Sequence, residues 1–218
     1  SRLATGLAQH YGIARGHRVV TLLPNNIDHA IILHALFLLD AVAIPLNTRF
    51  TPSELNTCIS IVKPVLLAHE SAARSRIGEL EGWRAGKART EFEIEISDAR
   101  VIYSEPLSLL PPPVLQLSNS PHSTAAILFT SGSSGTPKPV PLTTANFDAA
   151  IAASAGRLGV HEDDNWLCPI PLYHVGGLSA LLRSAEAGPC VTLVAGLGAT
   201  AMVRSFREER ITVASLVP

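Results

Sequence analysis

The residues with the clearest chemical potential lie in one segment, residues 130–138, with the sequence TSGSSGTPK. Glycines allow successive backbone N–H groups to point into one concavity, and hydroxyl side chains add hydrogen-bond donors. Lys138 supplies a full positive charge. A buried, apolar strand is predicted to end at Thr130, immediately before the glycines. The segment therefore predicts a phosphate-binding loop at the end of a strand.

Two other interpretations of this segment have to be compared with phosphate binding. The Walker pattern has four residues between its glycines and a lysine directly after the second, whereas Lys138 lies three residues beyond Gly135. A flexible linker has a similar glycine and serine content. A linker, however, needs neither the strand that precedes the glycines nor the Thr-Pro-Lys that follows them. Phosphate binding is the favoured interpretation.

Two further polar segments follow predicted strands. Residues 171–178, PLYHVGGL, include His174, although a single histidine in such a setting is more often structural than functional. Residues 47–50, NTRF, form a polar turn for which a structural role is favoured.

Three segments, in this order, resemble the adenylate-forming superfamily of acyl-CoA synthetases, luciferases and peptide-synthetase adenylation domains. They are residues 38–55, LLDAVAIPLNTRFTPSEL, residues 129–138 and residues 171–178. The resemblance covers essentially the whole chain. It implies a two-step reaction in which a carboxylate attacks the α-phosphate of ATP to give an acyl-adenylate and pyrophosphate, after which the CoA thiol displaces AMP.

The resemblance also implies residue roles, with Mg²⁺ sharing the phosphate charge and no metal ligand assigned to the chain. The loop that holds the β- and γ-phosphates would consist of Thr130, Ser131, Gly132, Ser133, Ser134, Gly135, Thr136 and Lys138. Thr130, Lys138 and His174 would be catalytic, and His174 would lie beside the acyl group and the approaching thiol. Gly176 and Gly177 would contact the acyl substrate.

The identity of the acid is suggested by residues 166–184 and 211–218, which most resemble the o-succinylbenzoate-CoA ligases of menaquinone and phylloquinone synthesis. Arg183 would then be a cation for a dicarboxylate substrate, because a guanidinium can bind a carboxylate bidentately. Arg183 could equally pair with Glu186 or cover a helix face. Other aryl- or fatty-acyl-CoA synthetases remain the alternative within the superfamily.

The chain departs from the superfamily pattern at two positions. Pro139 stands where the loop usually continues with glycine, so one amide donor is lost and the exit of the loop is stiffer. Asp40 stands where a small residue is usual. A degenerate, non-catalytic nucleotide-binding module is therefore a second hypothesis. A third hypothesis is a dinucleotide-binding oxidoreductase, because residues 196–201 fit the GxGxxA pattern. It is weaker because the next predicted strand, 212–217, has no acidic residue to bind a ribose.

The elements that must position these residues are short strands and helices, which alternate along most of the chain. Short apolar runs predict strands at 19–23, 42–45, 65–68, 125–130, 166–169, 190–194 and 212–217. Helical patterns occupy 3–11, 27–39, 52–62, 145–158, 178–187 and 200–209, and Thr-Pro-Ser-Glu at 51–54 predicts a capping box. This alternation predicts an α/β fold of parallel sheets flanked by helices. Three parts are predicted: an α/β part at about 1–70, a peripheral hairpin and linker at 71–123, and an α/β part with the phosphate loop at 124–218.

Composition limits the partners of the chain. A formal net charge of -1 gives no reason to expect nucleic acid, and the longest apolar run, 29–39, is about half of a membrane span. Cys58, Cys168 and Cys190 are too few for a disulfide framework, so a cytoplasmic location is expected. The expected partners are a carboxylic acid, ATP and CoA, and a homo-oligomer is compatible with the sequence.

Both ends of the chain have the pattern of a longer protein, since it begins without methionine and stops in a strand pattern. The resemblance implies that the adenine-binding segment, the ribose-binding aspartate and the C-terminal lid domain with its catalytic lysine would lie beyond Pro218. The chain is therefore expected to be the N-terminal portion of the adenylate-forming fold and not to catalyse adenylation by itself.

Overall fold

Two β-sheets with flanking helices form the protein. The computed structural model describes residues 2–73, 92–95, 120–131, 136–159, 161–194 and 198–216. The strands are β1 Arg18–Leu22, β2 Val42–Pro45, β3 Leu66–His69, β4 Phe92–Glu95, β5 Thr124–Ser131, β6 Pro137–Thr143, β7 Asn165–Cys168, β8 Cys190–Leu193 and β9 Val213–Ala214. The helices are α1 Arg2–Tyr11, α2 Ile27–Leu38, α3 Pro52–Val62, α4 Thr144–Leu158, α5 Val175–Ala187 and α6 Ala199–Glu208, with a short 3-10 turn at Ser71–Ala73.

The first sheet has six strands in the order β4-β3-β1-β2-β5-β6. Its inner strands β3, β1, β2 and β5 run parallel. All residues of β2 and β3 are buried because helices cover both faces. One face packs against α1, α2, α4 and α5, and the other face packs against α3. This arrangement confirms the predicted α/β class and explains why the strands read as continuous apolar runs.

The last strand of this sheet, β6, differs from the predicted all-parallel arrangement because it pairs antiparallel with β5. Its sequence, PKPVPLT, contains three prolines, and proline is usually a signal against a strand. Proline is tolerated here because β6 is an edge strand and because Pro137, Pro139 and Pro141 alternate along it. Lacking an N–H, these three residues must occupy the non-hydrogen-bonded pairs, so the N–H groups between them face β5.

The region predicted as a hairpin and linker, 71–123, is only partly described. Within it, Phe92–Glu95 forms β4, which pairs parallel with β3 at the other edge of the sheet. The remainder of the predicted hairpin and linker lies outside the described residues. A strand that pairs with β3 makes this part of the region an extension of the first sheet.

Local sequence signals explain where the helices begin. The predicted capping box at Thr51 and Glu54 is confirmed, with both reciprocal hydrogen bonds formed. A second capping box, formed by Thr143 and Asn146, starts α4 and was not predicted from the sequence. Helix α5 starts at Val175, three residues before the predicted start, and therefore includes Gly176 and Gly177.

The second sheet is smaller and less covered. It has three parallel strands in the order β8-β7-β9. Helix α5 buries Leu178, Leu181 and Leu182 in the same apolar cluster as α1 and α2, so this helix packs on the helices of the first sheet. Helix α6, by contrast, has no buried residue. Among the described residues, no helix is long and apolar enough to cross a membrane.

Candidate active site

The stem of the predicted phosphate loop is the hairpin formed by β5 and β6. Thr130 lies directly opposite Lys138 across the two strands, and Ser131 lies opposite Pro137. The described residues on either side of the loop are therefore held next to each other, where β5 ends and β6 begins. Of the predicted loop residues, Gly132, Ser133, Ser134 and Gly135 lie outside the described residues. Thr130, Thr136 and Lys138 are all exposed.

The pleat of the hairpin places Thr130 and Lys138 on one face of the first sheet. Cross-strand partners share a face, and residues two apart along a strand share it too. Leu128 is therefore on that face, and it packs in the apolar cluster that includes Leu172 and Leu178. Those two leucines flank His174 in sequence. The hairpin stem and the histidine segment consequently lie on the same side of the first sheet.

His174 is the residue that precedes α5, and it has an extended backbone with no side-chain cap hydrogen bond. Its backbone N–H donates to Pro171 O over 2.9 Å. The imidazole lies beside the Tyr173 ring, with 4.7 Å between the ring centroids. Partial desolvation lowers the pKa of His174. A lowered pKa favours the neutral imidazole at neutral pH, a form that can accept or donate a hydrogen bond.

The two glycines after His174 have different surroundings. A Cβ on Gly177 would lie 2.4 Å from Pro171 O and 2.5 Å from Ile170 O, so no side chain fits there. A Cβ on Gly176 would meet only the Ile170 side chain, at 3.2 Å. Gly177 is buried and Gly176 is exposed. Gly177 therefore permits the first turn of α5 to pack closely on the preceding turn, and Gly176 is the accessible one.

Asn25 is a buried polar residue at the junction of the two sheets that the sequence analysis did not single out. It follows β1, is 9% exposed, and its Nδ2 donates to Cys168 O over 3.2 Å and to Val194 O over 3.0 Å. Those carbonyls stand at the carboxyl ends of β7 and β8. The carboxyl ends of strands from both sheets therefore meet at Asn25. Strand β2 pairs parallel with both β1 and β5, so the carboxyl ends of β1 and β5 lie at the same edge of the first sheet. The phosphate-loop hairpin is at this carboxyl edge, where ligands of α/β proteins usually bind.

One sequence signal would have pointed to Asn25. The polar pair Asn25-Asn26 directly follows a buried strand and precedes a helix. Asn26 has a local task, because its side chain accepts a hydrogen bond from the His29 backbone N–H and caps α2. The Asn25 side chain forms no local hydrogen bond among the described residues, and its partners are distant in sequence.

Arg183 lies on α5 and packs against β7 of the second sheet. It is 9% exposed, its guanidinium carbon is 3.8 Å from the Trp166 ring centroid, and its Nη1 donates to Ser154 Oγ. Among the described residues no carboxylate pairs with it, Glu186 included, and its Nε has no hydrogen-bond partner. Burial lowers the pKa of this arginine. Arg183 is nine residues beyond His174 on the helix, about 13 Å along its axis.

Acidic, histidine and cysteine side chains are not clustered among the described residues. No group of three or more His, Cys, Asp or Glu side chains is arranged to hold a metal ion in the part of the chain that the structure describes. All three cysteines are free thiols. Burial raises the pKa of Cys168 to about 11, so this thiol is protonated and a poor nucleophile at neutral pH.

Comparison with known proteins identifies the family. The sequence profile of the AMP-binding enzymes matches residues 1–218. The chain belongs to the AMP-binding enzyme family. A 2-succinylbenzoate–CoA ligase of Bacillus licheniformis is 32% identical over 219 residues, covering 100% of this chain and 42% of that protein. This AMP-binding family member therefore spans less than half the length of such relatives.

Solved structures agree with the family fold. A fatty acyl CoA synthetase of Mycobacterium tuberculosis superposes with a TM-score of 0.84 at 24% identity, covering 100% of this chain and 42% of that one. At that identity the likeness concerns the fold alone. An o-succinylbenzoate coenzyme A synthetase of Bacillus subtilis, solved with ATP and magnesium, superposes with a TM-score of 0.78 at 27% identity, covering 98% of this chain and 53% of that one.

Proposed function

We propose that this chain supplies the ATP-phosphate loop and part of the acyl pocket of an ATP-dependent acid–CoA ligase. The observation that carries the proposal is the pairing of Thr130 with Lys138 next to the turn of the hairpin, at the carboxyl edge of the first sheet. A hydroxyl and an ammonium side by side on neighbouring strands are suited to oxygens of one polyphosphate.

The described residues fit ATP with Mg²⁺ in a simple way. Thr130 and Thr136 offer hydroxyl donors, and Lys138 offers charge, all of them exposed. No described carboxylate cluster competes for the metal. Mg²⁺ bound to the phosphates would neutralise part of their charge, and the chain's own residues would orient the β- and γ-phosphates. Ser131, Gly132, Ser133, Ser134 and Gly135 complete the proposed loop.

The acyl end of the proposed pocket lies at the start of α5. The His174 side chain makes no cap hydrogen bond and its pKa is lowered, so its imidazole would contact the acyl group or the incoming thiol as a neutral group. Gly176 would leave room for the substrate because it is exposed, and Gly177 would fix the approach of the helix.

The proposed acid is o-succinylbenzoate, supported by the names of the curated relatives at about 30% identity. In this proposal Arg183 would be a cation for the second carboxylate of the substrate. Its stacking on Trp166 and its distance from His174 along α5 also suit a packing role. Replacing Arg183 with lysine separates the two roles, because lysine keeps the charge but loses the planar stacking.

The test is a pyrophosphate-release assay on the full-length protein that contains this chain, with ATP, Mg²⁺ and CoA. Three acids are offered: o-succinylbenzoate, benzoate and a medium-chain fatty acid. Release with o-succinylbenzoate alone supports the proposal. Release with another acid alone keeps the ligase activity and discards the substrate, and silence with all three favours the degenerate nucleotide-binding module.

A variant pair tests the loop in the same assay. Lys138→Met should lower kcat/KM by at least tenfold, because the charge on the phosphates is lost. Arg157→Met is the matched control, since Arg157 is an exposed arginine in the last turn of α4. Equal loss in both variants contradicts a role for Lys138 in the site.

The cellular location of the enzyme is proposed from its cysteines. The three free thiols suit a reducing compartment, and we propose a cytoplasmic enzyme. Fractionation of the source cells tests this location.

A further inference from the structure

Asn25 connects the two sheets at the point where their carboxyl ends meet. Its side chain is on the turn after β1 in the first sheet, and its two acceptors, Cys168 O and Val194 O, end strands of the second sheet. We propose that Asn25 is a positioning residue that fixes the His174 turn, residues 169–174, to the carboxyl edge of the first sheet.

The hydrogen-bonding state of the Asn25 amide supports a role beyond packing. Both hydrogens of Nδ2 are donated to carbonyls, while the buried Oδ1 has no partner among the described residues. A buried acceptor without a partner is costly, and an apolar side chain of the same shape would avoid that cost. The two hydrogen bonds that Nδ2 donates therefore explain why this position has an amide side chain and not an apolar one. Because no solvent reaches Oδ1, the residue is placed to hold protein groups and not a ligand.

The connection from Cys168 to His174 is short and stiff. Cys168 is followed by the sequence PIPLYH, in which two prolines restrict the backbone. The Cys168 thiol approaches Gly177 O at 3.9 Å, and the His174 N–H is bonded to Pro171 O. A Gly177 Cβ would collide with Pro171 O, which means that the turn has no free space against α5. A shift of the Cys168 carbonyl is therefore passed on to His174.

The first experiment uses the 218-residue chain and measures backbone hydrogen exchange in two variants. Asn25→Leu removes both donors and retains the shape, and Asn25→Asp retains the shape and replaces the donors by a carboxylate. The reporting amides are His174 and Leu178, whose N–H groups bond within the turn and the first turn of α5. The reference amides are Val20 and Ala43, on paired central strands of the first sheet.

The expected result is local. In Asn25→Leu, exchange at His174 and Leu178 should be at least tenfold faster than in the wild type, with Val20 and Ala43 changed less than twofold. Equal acceleration at all four amides would show that Asn25 contributes only to general stability, and no acceleration at His174 and Leu178 would show that it does not fix the turn. Either result overturns the proposal.

The pH dependence of Asn25→Asp keeps the proposal testable if the leucine variant does not fold. A carboxylate facing two carbonyl oxygens is repelled by them, whereas its protonated form can donate one hydrogen bond. After correction for intrinsic exchange, the acceleration at His174 should therefore decrease between pH 8 and pH 5. Asn25→Leu and wild type, which retain the nearby His29 and Cys168, should show no such recovery. An aspartate variant that behaves like wild type at pH 8 contradicts the proposal.

The consequence for catalysis rests on the proposed function. In the full-length ligase, Asn25→Leu should raise KM for the carboxylic acid and for CoA at least fivefold, because both would meet at His174. KM for ATP should change less than twofold, because both hydrogen bonds of the Asn25 side chain go to the second sheet and neither goes to the phosphate-loop hairpin. A uniform rise in all three overturns the positioning role. If the wild-type enzyme has no ligase activity, the proposed function fails, whereas the exchange experiment still decides whether Asn25 holds the turn.

Discussion

The two sheets of the molecule differ in how completely they are covered. In the first, β2 and β3 are buried along their whole length, with helices on both faces. In the second, β8 has no buried residue and α6 has none either, although three of the four residues of β7 and six of the 13 residues of α5 are buried. Burial of apolar surface is the main source of stability in proteins. The first sheet should therefore carry most of the folding free energy, and the candidate site joins a stable part to a looser one.

The largest loss of stability is expected from a cavity beside the first sheet. Leu36→Ala on α2 removes a side chain that is fully buried and should lower the free energy of unfolding by about 3 kcal/mol. Phe206→Ala on α6, where the side chain is 49% exposed, should cost less than about 1 kcal/mol. Urea unfolding of both variants measures the difference. Similar losses would mean that the two parts contribute equally and would contradict the comparison.

A smaller loss is expected from the tight turn at the junction. Gly177→Ala places a Cβ against backbone oxygen at 2.4 Å and should destabilise the protein by about 2 kcal/mol. Gly176→Ala is the matched control, because its nearest contact is a flexible side chain at 3.2 Å. It should cost less than about 0.5 kcal/mol, since alanine also suits a helix. The order of the two melting temperatures checks this prediction, and a reversed order would refute it.

The pH dependence of stability should come largely from His29, a buried residue of α2 beside the first sheet. Burial lowers the pKa of His29 to about 4, and its Nδ1 donates to Pro24 O while its Nε2 accepts from Thr21. The unfolded state, with a histidine pKa of about 6.5, binds more protons between these values, so stability is complete above pH 6.5 and is lost as pH falls towards 4. The loss due to His29 between pH 7 and pH 5 should be about 2 kcal/mol.

Unfolding of His29→Gln at several pH values tests this assignment. The slope between pH 7 and pH 5 should become shallower than in wild type, whatever the absolute stability of the variant. His34, whose pKa burial also lowers, is present in both proteins and cancels in the difference. An unchanged slope would mean that His29 does not control the acid response.

The smallest losses of stability are expected from two helix caps, whose helices pack on opposite faces of the first sheet. Thr51 caps α3 and Thr143 caps α4, and each forms a complete capping box. Replacing either threonine by alanine should cost about 1 kcal/mol. Thermal unfolding of the two single variants and the double variant should give additive losses, because the caps share no partner. Strong non-additivity would indicate coupling between α3 and α4.

Much of the first part could be predicted from the sequence because its signals are local. The apolar runs of β1 to β3 and the Thr51–Glu54 capping box each specify an element within a few residues, and the structure contains all of them. Strand β6 was missed because its prolines argue against a strand unless its position at the edge is already known. The location of an edge is a property of the whole sheet and cannot be read within one segment.

The candidate site was predictable in its residue types more than in its geometry. The sequence indicated Thr130 and Lys138 as phosphate ligands, but that they are opposite each other follows from the antiparallel pairing. Asn25 was missed because its partners are 143 and 169 residues away in sequence. Arg183 was considered as a surface residue or a ligand, whereas the structure buries it on Trp166, a contact between two elements that only the packed fold creates.

The alternating prolines of β6 also determine how the protein can associate. With their nitrogens directed away from β5, the outer side of β6 presents carbonyl oxygens at these three positions and no N–H to pair with. A strand from another molecule would find half of the ladder missing, so edge-to-edge aggregation through this side is disfavoured. Of the two edges of the first sheet among the described residues, β6 is therefore the one less suited to an additional strand, whether from the same chain or from another one.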